Sequence, residues 1–320
     1  MTILELAQKL NTLKSAVVFS HTRPDGDTIG AGLAMYYYLK EQGIKVNLVC
    51  DSQIPEKYNF LDGIEYFSNT IDMNAEAFIA VDSANSFRLG TLREKFLQSN
   101  KKTFNIDHHI SNDMFATENL VIDNAASTSE IMAKLYKETN CSCPPFVANY
   151  MLMGILTDTG HFSHKNVTED TLSMAAFLVG KGADLYTLQY NLFKKQSAVR
   201  ANLFALTINT MEYYANATIG ILLVSQENLK KTNATMDLTE GFVDYPMTID
   251  TVEVAVCMLE TGYNKYKISL RSKGNVNVNA VAGIFGGGGH VLASGCMLFG
   301  TREEVVEKLC KAIQEAPSVL

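Results

Sequence analysis

Short apolar runs alternate with stretches of helical periodicity in the first half of the chain. The runs with the length and composition of buried strands cover 16–20, 45–50, 77–81 and 103–106. Apolar residues at helical spacing predict helices from about 29 to 42 and near 127–139, 146–157 and 168–180. This alternation is typical of an α/β fold in which helices cover both faces of a mostly parallel sheet.

The pattern changes in the second half of the chain. A helical stretch over about 185–211 precedes a mixture of strands and helices. Candidate strands cover 219–224, 252–259, 265–270 and 294–299, with helices near 277–284 and from Arg302 onward. We therefore predict an N-terminal domain over 1–190, a helical connector over 191–210 and a smaller α+β domain over 211–320.

Composition narrows the class of protein. No apolar run approaches the roughly 18 residues of a membrane helix, and the first ten residues lack the features of a signal peptide, so we expect a soluble, cytoplasmic protein that does not enter a membrane. A net charge of −7 argues against a long nucleic-acid track but is compatible with a short anionic ligand held by metal ions. The six scattered cysteines are expected to be reduced thiols, and whether Cys141 and Cys143 have a role stays open.

Acidic residues and histidines follow the predicted strands. His21, Asp25 and Asp27 come after the first, Asp82 follows the third, and Asp107-His108-His109 ends the fourth. Ligands of open α/β sheets bind beyond the carboxyl ends of the strands, so these side chains can meet at one edge. Mixed carboxylate and imidazole ligands suit Mn²⁺, Fe²⁺, Co²⁺ or Zn²⁺ better than Ca²⁺. The alternative for each acid alone is a polar turn or a helix cap.

Two further segments carry candidate chemistry. Asp158 ends an apolar helical stretch, where a carboxylate is costly unless it is paired or bound to metal, although an exposed helix end is the alternative. His161 and His164 follow it without an assigned role. Four glycines at 286–289 precede His290, and such a segment lets backbone N–H groups approach an anion closely. A flexible turn is the alternative for the glycines.

Taken together, these motifs resemble the DHH phosphoesterase superfamily, whose name is the Asp107-His108-His109 sequence. The segment from Gly286 to Gly295 resembles the hallmark of the DHHA1 domain that accompanies it, so the resemblance covers nearly the whole chain. Within the superfamily, the two-domain length and the segment from Gly241 to Pro246 most resemble the NrnA-like bifunctional oligoribonuclease and pAp phosphatase subgroup, where pAp is 3′-phosphoadenosine 5′-phosphate.

The resemblance implies that 1–190 is the catalytic, metal-binding domain and 211–320 the substrate-binding domain, with the active-site cleft between them. It also implies two divalent metal ions per chain, most often Mn²⁺. It places His21 and Asp25 on one ion, with Asp82 as the bridge, and Asp27, His108 and Asp158 on the other. Asp107 would orient a ligand, and His109 would face the phosphate as a charge stabiliser or proton donor. Substrate binding is expected from Arg271, Gly288, Gly289 and His290, with Arg271 and His290 also counted among the catalytic residues. Arg88 is a weaker candidate for the same task, with a solvated surface arginine as the alternative.

The expected reaction is hydrolysis of short oligoribonucleotides and pAp by water that two metal ions activate. The main alternative is a phosphodiesterase acting on cyclic or linear dinucleotides such as c-di-AMP or pApA, since the same residues would serve. A pyrophosphatase or polyphosphatase is disfavoured by the glycine segment, and a nucleotide-binding regulator without catalysis is disfavoured by the complete ligand set. The sequence leaves the oligomeric state open, a homodimer included.

Overall fold

A computed structural model describes residues 1–98 and 100–318. It divides into two compact units, Met1–Lys195 (unit 1) and Gln196–Leu320 (unit 2). Within the described residues, no helix combines the length and the apolar character that crossing a membrane requires.

Unit 1 is built on six strands and seven α-helices among the described residues. The strands are β1 Ser15–Ser20, β2 Lys45–Cys50, β3 Phe67–Ser68, β4 Ala77–Val81, β5 Lys102–Asp107 and β6 Glu118–Val121. The helices are α1 Ile3–Leu10, α2 Gly26–Glu41, α3 Arg93–Leu97, α4 Thr128–Glu138, α5 Pro145–Asp158, α6 Glu169–Gly180 and α7 Leu185–Gln189. A 3₁₀ segment covers Ser86–Leu92, and a π-helical turn over Tyr190–Lys194 follows α7.

All the strands of unit 1 pair in parallel, in the order β3-β2-β1-β4-β5-β6. Alternate side chains of β1 pack into different cores, Val18 with the large cluster that includes α2 and α5, and Phe19 with Phe78 and Phe96. The central strands β1, β4 and β5 end next to one another. The residues that follow these three strands therefore meet at one edge of the sheet.

Close helix packing brings α2, α4 and α5 against this edge. The Asp25 side chain caps α2 by accepting from the backbone N–H groups of Asp27 and Thr28, and Ser127 caps α4. Glycine permits the contact between α2 and α5, because a Cβ on Gly30 would lie 2.3 Å from the carbonyl oxygen of Tyr150. The first turns of α2 and α4 are thereby held together in the interior.

Unit 2 contains a mixed sheet of six strands in the order β11-β12-β10-β9-β8-β7. The strands are β7 Glu212–Tyr214, β8 Ile219–Val224, β9 Val254–Gly262, β10 Lys265–Ser272, β11 Gly288–His290 and β12 Ala293–Phe299. The helices are α8 Ala198–Ile208, α9 Gln226–Thr232, α10 Val278–Ile284 and α11 Arg302–Gln314. The strands pair antiparallel except for β8 with β9. One face packs on α10 and α11, and the other packs on α8 and α9.

The predicted fold class is confirmed, with differences in detail. The glycine segment is not wholly a loop, because Gly288–His290 forms β11 and pairs with β12. The short strands β3, β6 and β7 lack the long apolar runs that the sequence analysis used to find strands. Helix α2 begins at Gly26, three residues before the predicted start, because the Asp25 cap brings Asp27 into the first turn.

Candidate metal centre

His21 directly follows β1 and is 1% exposed. Its Nδ1 lies 2.8 Å from the carbonyl oxygen of Thr22, so in the neutral ring this nitrogen donates and Nε2 carries the lone pair. That Nε2 lies 3.6 Å from Oδ2 of Asp25 and 3.3 Å from Oδ2 of Asp82. A neutral imidazole oriented by a backbone carbonyl, with carboxylates around its other nitrogen, is typical of metal-ligating histidines.

Asp27 is a fully buried carboxylate whose two oxygens are both held by the backbone of α4. Oδ2 accepts from the N–H of Thr128 at 2.7 Å, and Oδ1 accepts from the N–H of Ser129 at 2.8 Å. These N–H groups lie at the beginning of the helix, where they lack helical partners and where the helix dipole favours a negative charge. The first turn of α4 therefore fixes the position of the Asp27 carboxylate.

Asp82 follows β4 in a left-handed backbone conformation, with φ of 55°. Its N–H still donates to the carbonyl of Ile106, at 2.9 Å, so the turn begins immediately after the strand pairing ends. Aspartate tolerates this conformation better than most residues, and such strained positions cluster at functional sites. The side chain is almost fully buried, and Oδ1 accepts from the Thr128 hydroxyl at 3.2 Å.

The three side chains of the Asp107-His108-His109 sequence point in different directions and have different partners. Asp107, the last residue of β5, is fully buried and lies with Oδ1 2.7 Å from Nδ1 of His109. Its Oδ2 accepts from the Asn112 amide at 2.6 Å. His108 turns the other way, and its Nδ1 lies 3.3 Å from the carbonyl oxygen of Ala125. Asp107 is thus committed to orienting His109, while His108 presents Nε2 to the interior.

The Nε2 atom of His108 is buried and forms no hydrogen bond with any residue that the structure describes. Carboxylate oxygens surround it nevertheless, with Oδ2 of Asp158 at 3.3 Å and Oδ1 of Asp82 at 3.7 Å. Buried polar atoms without a partner are uncommon in proteins. A ring nitrogen that points among carboxylate oxygens without bonding to them fits a cation-binding position.

Three groups of side chains place ligand atoms within 4.8 Å of one another, close enough to hold a metal ion. They are His21, Asp25 and Asp82; Asp27, His108 and Asp158; and Asp82, His108 and His109. Asp82 belongs both to the group around His21 and to a group around His108. The six metal ligands predicted from the sequence are therefore gathered at one edge of the unit 1 sheet.

The electrostatics of this edge indicate an excess of negative charge. Burial raises the pKa of Asp27 well above its ordinary value, helped by the charges of Asp82 and Asp158, and burial raises the pKa of Asp158 to about 6. Burial lowers the pKa of His21 and His108, but the neighbouring carboxylates outweigh this effect and raise both pKa values to about 10. The raised pKa values of Asp27, Asp158, His21 and His108 all indicate that carboxylates crowd this edge and that a cation would relieve them.

His109 and Arg88 border the same group. The hydrogen bond to Asp107 raises the pKa of His109 against the effect of burial. The His109 side chain is about one-third exposed, so its Nε2 side is accessible. Arg88, in the 3₁₀ segment after β4, places Nη2 2.8 Å from Nε2 of His21, and its carbonyl accepts from the N–H of Thr22. Arg88 is thus next to the candidate ligands and not a remote surface residue.

The remaining predicted residues lie in unit 2. Arg271 on β10 and His290 on β11 are both paired opposite Ala293 of β12, so their side chains project from the same face of the sheet. Nε of Arg271 donates to Asp244 at 3.0 Å and Nη1 donates to the carbonyl of Leu270 at 3.1 Å. Gly289 has a φ of 150°, and a Cβ there would lie 2.5 Å from the carbonyl oxygen of Ala293. Gly288 and His290 are exposed on the same short strand.

Several residues that shape the site were missed in the sequence. Thr128 and Ser129 hold Asp27 through their backbone, Asn112 holds Asp107, and Asp244 holds Arg271. The capping pattern from Ser127 to Glu130 marks the start of a helix and could have drawn attention to the first two. No local signal singles out Asn112. His161 and His164 belong to none of the three ligand groups, and Nδ1 of His164 lies 3.3 Å from the carbonyl oxygen of Asp158.

Comparison with known proteins assigns the class. The model of the N-terminal domain of the DHH family matches residues 15–155, and the model of the DHHA1 domain matches residues 216–317. A curated protein of Thermus thermophilus is 31% identical over 97% of this chain and 93% of its own length. The chain therefore belongs to the DHH family, and it is a phosphoesterase of the hydrolase class.

The relatives carry more particular names. The Thermus protein is named "Bifunctional oligoribonuclease and PAP phosphatase NrnA", and so is a Bacillus subtilis protein that is 27% identical over 96% of this chain and 98% of its own length. Among solved structures, an exopolyphosphatase-related protein from Bacteroides fragilis superposes with a TM-score of 0.84 at 25% identity, covering 98% of this chain and 95% of that one. This chain is thus similar to NrnA proteins along its whole length.

Proposed function

We propose that the protein is a metal-dependent phosphoesterase that hydrolyses short oligoribonucleotides and pAp with the help of two divalent ions, most readily Mn²⁺. The observation that carries the proposal is the position of Asp82 in ligand groups on both sides, one around His21 and one around His108. A carboxylate shared between two groups of ligands is what a pair of neighbouring ions requires.

The side chains present fit such a pair of ions. His21 and Asp25 would hold one ion, Asp27, His108 and Asp158 the other, and Asp82 both. The unpartnered Nε2 of His108 and the excess of negative charge are the features that cations would relieve. Carboxylate oxygens with imidazole nitrogens form a donor set suited to Mn²⁺. When bound, divalent ions lower the pKa of a coordinated water and neutralise charge on phosphoryl oxygens.

His109 is placed to act on the substrate. Because Asp107 fixes its Nδ1 and Asn112 fixes Asp107, the ring presents Nε2 in a defined direction. The hydrogen bond to Asp107 raises the pKa of His109 and so favours the imidazolium form, whose Nε2–H can donate a hydrogen bond to a phosphoryl oxygen or a proton to the leaving oxygen. Water adds its oxygen to phosphorus, the phosphorus–oxygen bond to the leaving group breaks, and the leaving oxygen takes up a proton.

Arginines and glycine N–H groups would bind the phosphate and the nucleotide end. Arg88 supplies a guanidinium next to the candidate ligands. In unit 2, the salt bridge with Asp244 fixes Arg271 through Nε, and its Nη2 has no hydrogen bond to any described residue, which leaves a donor for an anion. We assign substrate binding to these two arginines with Gly288, Gly289 and His290. We propose the division into a catalytic domain over 1–190, a connector over 191–210 and a substrate-binding domain over 211–320.

The relatives support the proposed substrate class. Proteins named for oligoribonuclease and PAP phosphatase activity match this chain over more than nine-tenths of its length. The net charge of −7 is compatible with short substrates and not with an extended nucleic-acid track. Cytoplasmic location and a homodimeric state stay predictions.

A second candidate is a phosphodiesterase acting on cyclic or linear dinucleotides. The Bacillus subtilis protein named "Cyclic-di-AMP phosphodiesterase GdpP" is 26% identical over 94% of this chain, although that match covers only 48% of the relative. The candidate active-site residues would serve both reactions, so substrate choice has to be measured.

The test is Mn²⁺-dependent hydrolysis of five substrates side by side, with Asp82→Ala as the blank. The substrates are pAp, a 5′-phosphorylated RNA dinucleotide, cyclic di-AMP, a longer RNA and pyrophosphate. Turnover of pAp and the dinucleotide with little on the others supports the proposal. Preference for cyclic di-AMP selects the second candidate, pyrophosphate alone moves the protein to another branch of the superfamily, and no turnover of any substrate leaves a binding protein.

A further inference from the structure

Large apolar side chains are exposed beside the candidate metal centre. Phe87 follows β4 with 72% of its surface exposed, and Ile110 and Met114 follow β5 at 86% and 55%. The two loops are joined, because the N–H of Asp113 donates to the carbonyl of Ala84 at 2.9 Å. Exposed apolar side chains in loops that border a polar site fit a ligand-contacting surface.

The Phe87 ring is held in place with one face already covered. The Arg93 guanidinium carbon lies 4.1 Å from the ring centroid, and Nε of Arg93 donates to the Ser86 hydroxyl at 2.9 Å. The Phe87 N–H donates to the Asn85 side chain at 3.1 Å. A guanidinium on one face fixes the plane of the ring. The high exposure of Phe87 shows that the rest of its surface is accessible.

Phe87 is also tied to the site through the chain. It directly precedes Arg88, whose Nη2 lies 2.8 Å from Nε2 of His21. A phosphate could bind at Arg88 and the candidate ligands. The residue next to Arg88 in the sequence, Phe87, would then offer it an exposed aromatic ring. A ligand that satisfies both groups carries a phosphate and a flat ring, which is the chemistry of a nucleotide.

We propose that Phe87 is a stacking platform for the nucleobase adjoining the phosphate at the metal centre, with Arg93 as its backing. The inference rests on the proposed function, because it needs a nucleotide at that site. It adds a residue that positions and selects the substrate without touching the reacting atoms. Stacking of a base on an aromatic side chain contributes roughly 5- to 100-fold in affinity and accepts any base.

The experiment compares binding of AMP and ribose 5-phosphate, which differ by the base, to the Mn²⁺-loaded full chain by calorimetry. The variants are Phe87→Ala, Phe87→Trp and the control Tyr263→Ala, which removes an aromatic side chain that is 94% exposed in the turn between β9 and β10. We expect Phe87→Ala to weaken AMP binding by about 5- to 100-fold and to leave ribose 5-phosphate unchanged. Phe87→Trp should restore AMP binding, and Tyr263→Ala should bind as the parent chain does.

Two results with Phe87→Ala would overturn the stacking platform: unchanged AMP binding, or equally weakened binding of AMP and ribose 5-phosphate. The platform is also overturned if the parent chain binds AMP no better than ribose 5-phosphate. Hydrolysis measured in the same preparations tests the proposed function separately. A chain that binds AMP through Phe87 but hydrolyses no nucleotide keeps the platform and refutes the proposed function. A chain that hydrolyses nucleotides with equal KM in both Phe87 variants and the parent refutes the platform alone.

Discussion

Replacing Gly154 by alanine tests whether close helix packing creates the site. A Cβ at this position of α5 would lie 1.9 Å from Oγ of Ser129, 2.5 Å from Cβ of Ser129 and 2.6 Å from Oδ1 of Asp27. The serine hydroxyl can rotate away, but its Cβ is fixed to the backbone of α4. The added Cβ must therefore push α5 away or displace Ser129 and the Asp27 carboxylate, which disturbs the hydrogen bond from the Ser129 N–H to Asp27.

The expected cost combines opposing effects. Overpacking of an interior costs about 1–3 kcal/mol, and a weakened hydrogen bond to a buried charge adds to it, while alanine favours a helix over glycine by about 1 kcal/mol. We expect a net loss of about 2 kcal/mol, which lowers the urea midpoint by about 0.7 M if the slope is about 3 kcal/mol per M. The same displacement of Asp27 should weaken Mn²⁺ binding.

The measurement is urea unfolding of the metal-free chain by circular dichroism, followed by Mn²⁺ titration of the folded protein. Gly180→Ala is the matched control, because Gly180 is also a helical glycine of unit 1 but a Cβ there meets nothing within 4 Å. The control should gain up to about 1 kcal/mol. If Gly154→Ala is as stable as its parent and binds Mn²⁺ normally, the packing argument is wrong.

The remaining predictions concern ions and phosphate. Asp82→Asn keeps the side-chain shape and tolerates the left-handed backbone, so we expect a folded protein that loses metal and activity together. Elemental analysis measures the bound metal and hydrolysis assays measure the activity; retained activity would contradict the shared-ligand proposal. At pH 8, loading with Mn²⁺ should release protons, about one each from His21 and His108, because their surroundings raise the pKa of both to about 10. Affinity should therefore fall as the pH falls, and calorimetry in buffers of different ionisation enthalpy measures the release. Arg271→Ala should raise KM about 10- to 100-fold with metal retained, and Arg271→Lys should recover only part of the loss because lysine lacks the planar fork.

Much of the candidate site could be proposed from the sequence because its candidate ligands follow strands. A strand is recognisable as a short apolar run, and parallel strands deliver whatever follows them to one edge. His21, Asp82 and Asp107 lie immediately after or at the end of β1, β4 and β5, so their convergence needed only the fold class. The short strands β3 and β6 were not predicted, because two to four residues are too few to show a hydrophobic pattern.

The tertiary structure decided which polar groups hold the ligands in place. Asp27 is fixed by backbone N–H groups about a hundred residues away, and Asp107 is fixed by Asn112, whose amide also reaches the carbonyl of Ser83. Such contacts depend on how two helices or two loops approach each other. Residue types alone do not predict that approach.

The sequence by itself determined the fold class, the residue types of the candidate metal centre and their order along the chain, because periodicity and motif spacing are properties of local sequence. The arrangement around those residues came from packing. Three contacts join residues that are not neighbours in sequence. Gly154 leaves room for Ser129 next to Asp27, and Arg93 covers one face of Phe87. Strand pairing places Arg271 and His290 on either side of Ala293. Distances across a folded interior are set by the sum of many contacts, and a local pattern does not contain that sum.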